Sequence, residues 1–157
     1  MTEVGPLWAK RGTRPLLKVC RQRAKVYVIG FVEPITGQWV SYLVPALNSD
    51  WYSEVLTLLA ESFRGEPIKL VADKAGWHTS GDLRVPENIC LEFLPPHSPE
   101  LNPMEQVWED VRYNHTRNET FTESQALWER LEQAMKIYST NPERVKSVTN
   151  QEWLYGK

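Results

Sequence analysis

Cysteine is scarce in this sequence. Cys20 and Cys90 are the only two among 157 residues. So distant a pair builds no disulfide framework and no metal-ligand spacing. They read as two reduced thiols in a cytoplasmic protein. Histidine is nearly as rare, with three residues. Neither His97 nor His115 stands at metal-ligand spacing from a partner. No apolar run approaches the roughly 20 residues of a membrane span, which excludes a spanning helix. The opening Met-Thr-Glu-Val-Gly-Pro lacks the charged start and apolar stretch of a signal peptide. Internal repeats, low-complexity tracts and linkers are missing too.

Acid is absent locally. Between Glu3 and Glu33 there is none, while Lys10, Arg11, Arg14, Lys18, Arg21, Arg23 and Lys25 stand in that window, seven of the 18 basic residues. Such a cluster can neutralise phosphates, or it can form a solvated arm. The net charge of −2 does not by itself mark a nucleic-acid binder.

What is present is globular composition: 41% hydrophobic residues and seven Trp, in a length suited to one domain. Residues 1–24 form a basic, irregular arm by pattern, with Gly5-Pro6, Gly12 and Pro15 as breakers. Residues 25–157 read as the folded domain. Lys25–Val32 and Gln38–Val44 are strands by their β-branched and aromatic content, and the turn residues "EPITG" pair them as a hairpin. Asn48 or Ser49 caps a helix whose buried stripe is Tyr52, Val55, Leu56, Leu59, Ala60 and Phe63, and Gly65 and Pro67 end it. "IKLVA" (68–72) reads as a strand covered on both faces, and Asn88–Phe93 as another strand. Helices follow over Pro103–Tyr113, with Met104, Val107, Trp108 and Val111 on one side, and over Glu123–Tyr138, with Thr122 and Gln125 placed as a capping box. Asn141-Pro142 opens a last short helical turn. This order predicts an α/β domain, a mixed sheet with helices packed on it.

Two acids stand out by position. Asp73 emerges from the end of an apolar strand, where α/β sheets place their ligands. It can equally cap the turn "DKAGWHTSG". Glu105 follows Asn102-Pro103, a cap and a first helical position, so it can close its own helix start. The alternative is that both carboxylates meet over the sheet edge and bind Mg2+ or Mn2+ through hard oxygen ligands. Spacing leaves these readings open.

The stretches "LWAKRGTRP" (7–15), "LVADKAGWHTS" (70–80) and "LPPHSPELNPMEQVWEDVR" (94–112), with "NPERVKSVTNQEW" (141–153), resemble the catalytic domain of DDE-type transposases of the Tc/mariner superfamily from bacterial insertion sequences. The phrase S-P-E-L-N-P-x-E-x-x-W carries most of that resemblance. It implies a ribonuclease H-like fold and metal-dependent DNA strand cleavage and transfer at transposon ends. It also implies that Asp73 is the second catalytic Asp and Glu105 the final acid, both ligating Mg2+ or Mn2+. His78 then lies near the site, touching DNA or ordering the turn, and the basic residues 10–25 bind DNA. The four prolines at 95, 96, 99 and 103 fix the path from the last strand to Glu105.

The sequence departs from that pattern at its front. The family's first Asp, on a strand preceding "LWAKRGTRP", and its helix-turn-helix domain have no counterpart here. Asp73 and Glu105 also stand slightly closer together than the family pattern. The first strand is central in such a fold, so the resemblance implies two half-sheets with unpaired edges, and "PLLKVC" (15–20) is the one candidate to fill the gap. The expectation is a catalytic fragment inactive alone. Its partners would be DNA, an upstream-frame transposase segment and a second copy in a dimer. The competing readings are a non-catalytic remnant or accessory DNA-binding chain, and a ribonuclease H-like nuclease unrelated to transposition.

Overall fold

Alternation in the first hairpin divides the protein into two cores. The computed structural model describes residues 25–117, 119, 121 and 123–150. Strands β1 (Tyr27–Glu33) and β2 (Gln38–Val44) pair antiparallel, with Gly30 opposite Ser41. One face of the pair carries Tyr27, Ile29, Phe31, Val40, Tyr42 and Val44. These pack against helix α1 (Ser49–Ser62). The other face carries Val28, Val32, Trp39 and Leu43 and packs against α2 (Pro103–Val111), α3 (Ser124–Thr140) and α4 (Pro142–Val148). Period-two side-chain alternation gives one strand pair two apolar faces.

Strands β3 (Ile68–Ala72) and β4 (Ile89–Phe93) form a second, parallel pair. Ile68, Leu70 and Ile89 join the same core as Ile29 and Val44, so α1 lies across both pairs. Among the described residues no strand joins β1 to β3, and the sheets stay two-stranded.

The expectation that "IKLVA" is covered on both faces is wrong. Lys69, Val71, Cys90 and Glu92 lie exposed on one face, and Lys69 Nζ pairs with Glu92 Oε1 at 3.0 Å. The layer of α2, α3 and α4 covers the hairpin and stops short of β3–β4.

Local signals set most element ends. The Asn48 side chain accepts from Trp51 N–H at 2.9 Å and starts α1. Gly65 closes it at φ +76°, its N–H reaching the Ala60 carbonyl at 3.2 Å. Gly37 also has φ +76°, and a Cβ there would collide with the Pro142 carbonyl. The hairpin turn thus abuts the start of α4. The capping box expected at α3 falls partly outside the described residues. Thr122 lies outside the described residues, Glu123 is the cap residue without a side-chain bond, and Gln125 bonds Glu129 at 2.9 Å instead. A π-helical stretch, Arg112–Thr116, ends α2 and replaces its last α-turn.

That π-helical stretch places His115 beside Tyr138, with ring centroids 6.2 Å apart. Burial, with the nearby Arg130 cation, lowers the His115 pKa. A histidine whose pKa is depressed by folding leaves stability intact above its unfolded pKa. Stability is lost as pH falls through that value towards the folded one. The protein is therefore expected to lose stability below about pH 6.5, and His115→Gln should flatten that part of the profile. Chemical denaturation between neutral and acid pH checks this; a profile unchanged by the substitution contradicts it.

Candidate active site

A cavity of about 600 Å³ opens between the two half-sheets. Its walls are Val28–Glu33 of β1 with Pro34 after it and Lys69–Ala72 of β3 with Asp73 after it, with Tyr52 and His78 on one flank and Leu101–Glu105 on another. Asp73 and Glu105 therefore share one cavity, reached from different elements.

Asp73 follows β3 directly. Leu94 N–H donates to the Ala72 carbonyl at 2.9 Å and holds the strand end against the start of the proline arm. Asp73 Oδ1 accepts from Ala75 N–H at 3.1 Å, which is the turn-capping role read from the sequence. His78 Nδ1 lies 2.8 Å from the same oxygen and 3.0 Å from the Asp73 carbonyl. Both partners are acceptors, so the geometry requires Nδ1 to carry the proton. Oδ2 makes no hydrogen bond among the described residues, and the side chain is 55% exposed. One oxygen is anchored; the other is free to take a ligand.

The His78 ring is itself fixed. It sits 4.4 Å from the Tyr52 ring and 5.6 Å from that of Trp77, centroid to centroid, and is 15% exposed. Burial and the Asp73 charge raise the Tyr52 hydroxyl pKa, so that phenol stays neutral. Tyr52 was legible only as a core residue of α1. Its contact with His78 depends on how the 73–88 loop folds back, and no local spacing encodes that. Arg84 N–H donates to the buried Ser53 Oγ at 3.0 Å and ties the same loop to α1.

Glu105 sits in the first turn of α2. Pro103 occupies the first helical position, and the Asn102 side chain accepts from Met104 N–H at 3.1 Å. The Asn102 N–H is already taken by the Pro99 carbonyl at 3.0 Å. Glu105 therefore does not close its own helix; its carboxylate makes no hydrogen bond or ion pair among the described residues and is exposed at the cavity. The proline arm reaches this point through a left-handed backbone at His97, φ 59°, a conformation that histidine tolerates better than most residues.

Gly30 sets how near α2 comes. A Cβ there would stand 2.8 Å from Met104 Cε, 3.0 Å from Trp39 Cη2 and 3.2 Å from Trp108 Cη2. Trp39 and Trp108 meet edge to face at 6.0 Å in the space this leaves. The bare backbone lets the helix lie on β1 and carry Glu105 to the cavity. Sequence reading missed Gly30, although a glycine inside a strand is the known mark of a close approach.

Asp73 and Glu105, which line the cavity from the end of β3 and from α2, are the hard oxygen donors that a divalent cation there would use. Among the described residues no group of three or more acid, histidine or cysteine side chains is gathered for a metal. Of the basic residues singled out, Lys25 is exposed at the edge of β1. Lys10, Arg11, Arg14, Lys18, Arg21 and Arg23 lie outside the described residues.

A family model described as DDE superfamily endonuclease matches residues 1–128. The chain belongs to that family. The uncharacterized protein y4pE/y4sA of Sinorhizobium fredii (strain NBRC 101917 / NGR234) is 34% identical over 130 residues, covering 82% of this chain and 96% of the relative. No solved structure matches. The mixed α/β architecture with its small sheets is consistent with a DDE nuclease domain, and membership implies DNA as substrate and divalent-metal chemistry in general. No helix among the described residues is long and apolar enough to cross a membrane.

Proposed function

We propose that this DDE-family chain is the catalytic fragment of a Tc/mariner-type insertion-sequence transposase, with a ribonuclease H-like domain over residues 25–157. The observation that carries the reading is the shared cavity: Asp73 and Glu105, the acids on "LVADK" and "NPMEQVW", face one slot with free carboxylate oxygens. On this reading they hold one Mg2+ or Mn2+. Such an ion supplies Lewis-acid stabilisation to a phosphodiester under attack. The chain's own residues do the positioning. His78 and Ala75 fix one oxygen of Asp73, Asn102-Pro103 fixes the base of Glu105, and Gly30 fixes the depth of α2.

Two acids make a thin ligand set for strand cleavage. The chain alone is therefore expected to bind DNA without cutting it, through the cluster Lys10, Arg11, Arg14, Lys18, Arg21, Arg23 and Lys25. With seven cations engaged, affinity should fall about 10⁴-fold between 50 and 200 mM salt. A filter-binding series over that range, run beside a Mg2+-dependent cleavage and strand-transfer assay on duplex DNA, tests this. Robust strand transfer by the purified chain contradicts the fragment reading, and a flat salt response contradicts the role of the basic cluster. That no third acid joins the pair among the described residues also supports a second reading, a non-catalytic remnant or accessory DNA-binding chain. On that reading Asp73→Asn leaves every DNA readout unchanged, even when an upstream transposase segment or a second copy is supplied.

A further inference from the structure

Helix α2 carries exposed groups towards both of its ends. Glu105 lies in the first turn, and Arg112 caps the helix seven residues on. At about 3.6 residues and 5.4 Å per turn, Arg112 stands about 10 Å along the axis and within about 20° of the bearing of Glu105. Tyr113 follows about 12 Å along and about 80° round. It is the most exposed large apolar side chain among the described residues, at 64%. Its ring is held all the same. Arg117 Cζ stands 4.5 Å from the ring centroid, a cation–π contact that covers one face. With so much of the ring exposed, the opposite face is left to solvent. The turn beneath is held as well: Asn114 Nδ2 donates to Asp110 Oδ1 at 2.8 Å, and Arg130 Nε donates to the His115 carbonyl at 2.8 Å. That turn is π-helical, a rare form that recurs at functional sites. The charge around the ring is positive. Arg112 and Arg117 make no ion pair among the described residues, whereas Asp110 is taken by Arg144 and Glu119 by Arg130. Glu109, exposed between Glu105 and Arg112, keeps phosphate off the middle of α2.

We propose that Tyr113, with Arg112 and Arg117, is a stacking platform for an unpaired DNA nucleotide close to the Asp73–Glu105 pair. The inference rests on the reading of this chain as a transposase fragment that binds DNA. A base stacks on the open face of Tyr113, and the two guanidinium groups take the phosphates on either side of it. Stacking on an aromatic ring needs no particular base, so the platform selects unpaired strand and not sequence. Arg117 fixes the ring beforehand, so little freedom is lost on binding. The 12 Å or so from Glu105 to Tyr113 spans about three to four nucleotides at 3.4 Å each. An intact duplex keeps its bases inside the stack, so a frayed end or a single-stranded tail is what the platform takes.

The experiment uses the full chain with a blunt duplex and with the same duplex carrying a single-stranded tail of about six thymidines. One tail position is replaced by 2-aminopurine, moved stepwise along the tail. Affinity and 2-aminopurine quenching are read for the native chain, Tyr113→Leu, Tyr113→Phe and Arg117→Gln. Tyr113 is exposed, so its replacement leaves both cores intact. The native chain should bind the tailed duplex more tightly than the blunt one and quench at one tail position. Tyr113→Leu should lose about tenfold on the tailed duplex, the worth of one stacked base, and nothing on the blunt one. Tyr113→Phe keeps the ring and should match the native chain. Arg117→Gln should lower the salt slope on the tailed duplex by about 0.7, the share of one single-strand phosphate. A Tyr113→Leu protein that binds both DNAs as the native chain does, or loses equally on both, overturns the platform and leaves the DNA reading standing. So does Tyr113→Phe as weak as Tyr113→Leu, or Arg117→Gln with the native slope. A native chain that binds neither DNA overturns the DNA reading itself, and the platform falls with it.

Discussion

Replacing Asp110 by alanine should destabilise the protein by about 2–4 kcal/mol, the range for stripping one partner from a buried ion pair, reduced for partial exposure. Asp110 takes two bonds from Arg144 Nη2, at 2.7 and 3.0 Å, one from Tyr138 Oη at 2.5 Å and one from Asn114 Nδ2 at 2.8 Å. Its side chain is 20% exposed and that of Arg144 37%. This carboxylate joins α2, α3 and α4 behind the hairpin. Burial raises the Tyr138 hydroxyl pKa, and the bond to Asp110 adds to it, so a neutral phenol donates there. Arg144 Nε lacks a hydrogen-bond partner among the described residues. Without Asp110 the guanidinium would be stranded at the edge of an apolar core around Val107, Ala134 and Val145. Asp110→Asn keeps an acceptor and should cost less. Urea denaturation of both variants decides it; a loss under about 1 kcal/mol for the alanine variant would mean the cluster contributes no more than a surface pair.

Gly30→Val should cost about 1–3 kcal/mol from overpacking and carry a second effect on the site. The added methyls collide with Met104, Trp39 and Trp108, and the relief available is to lift α2 off β1. Glu105 leaves with it, while Asp73, anchored on β3 and His78, stays. Divalent-metal affinity should then drop about tenfold or more, the loss of one charged ligand. A stable Gly30→Val protein with native Mn2+ affinity would show that α2 does not set the position of Glu105.

Element positions were legible where a local rule was strong. Asn48 and Gly65 bounded α1, and Asn102-Pro103 opened α2. The element order pointed to one mixed sheet, and only the resemblance implied the two half-sheets seen among the described residues. The uncovered face of β3–β4 was not expected, because a short apolar run reads alike with one buried face or two. What lies over it depends on where α2, α3 and α4 stop. Asp73 and Glu105 were legible as special positions, but their shared cavity was expected only through resemblance. The Asp110–Arg144 bond and the Tyr52–His78 contact join residues far apart in sequence, and no periodicity encodes them. Glu105 could have closed its own helix. The Pro99 carbonyl decided against that by taking the Asn102 N–H first.

The account turns on Asp73 and Glu105 acting on one ion. The direct measurement is Mn2+ titration of the 157-residue chain, followed by calorimetry and by the electron paramagnetic resonance of free Mn2+. Asp73→Asn, Glu105→Gln and the double variant are measured in parallel. The account predicts one site in the native chain, lost to a similar degree in either single variant, with the double variant no worse than each. Losses that simply add, or an unchanged site in either single variant, would mean the two carboxylates do not share a metal, and the proposed catalytic fragment would lose its centre.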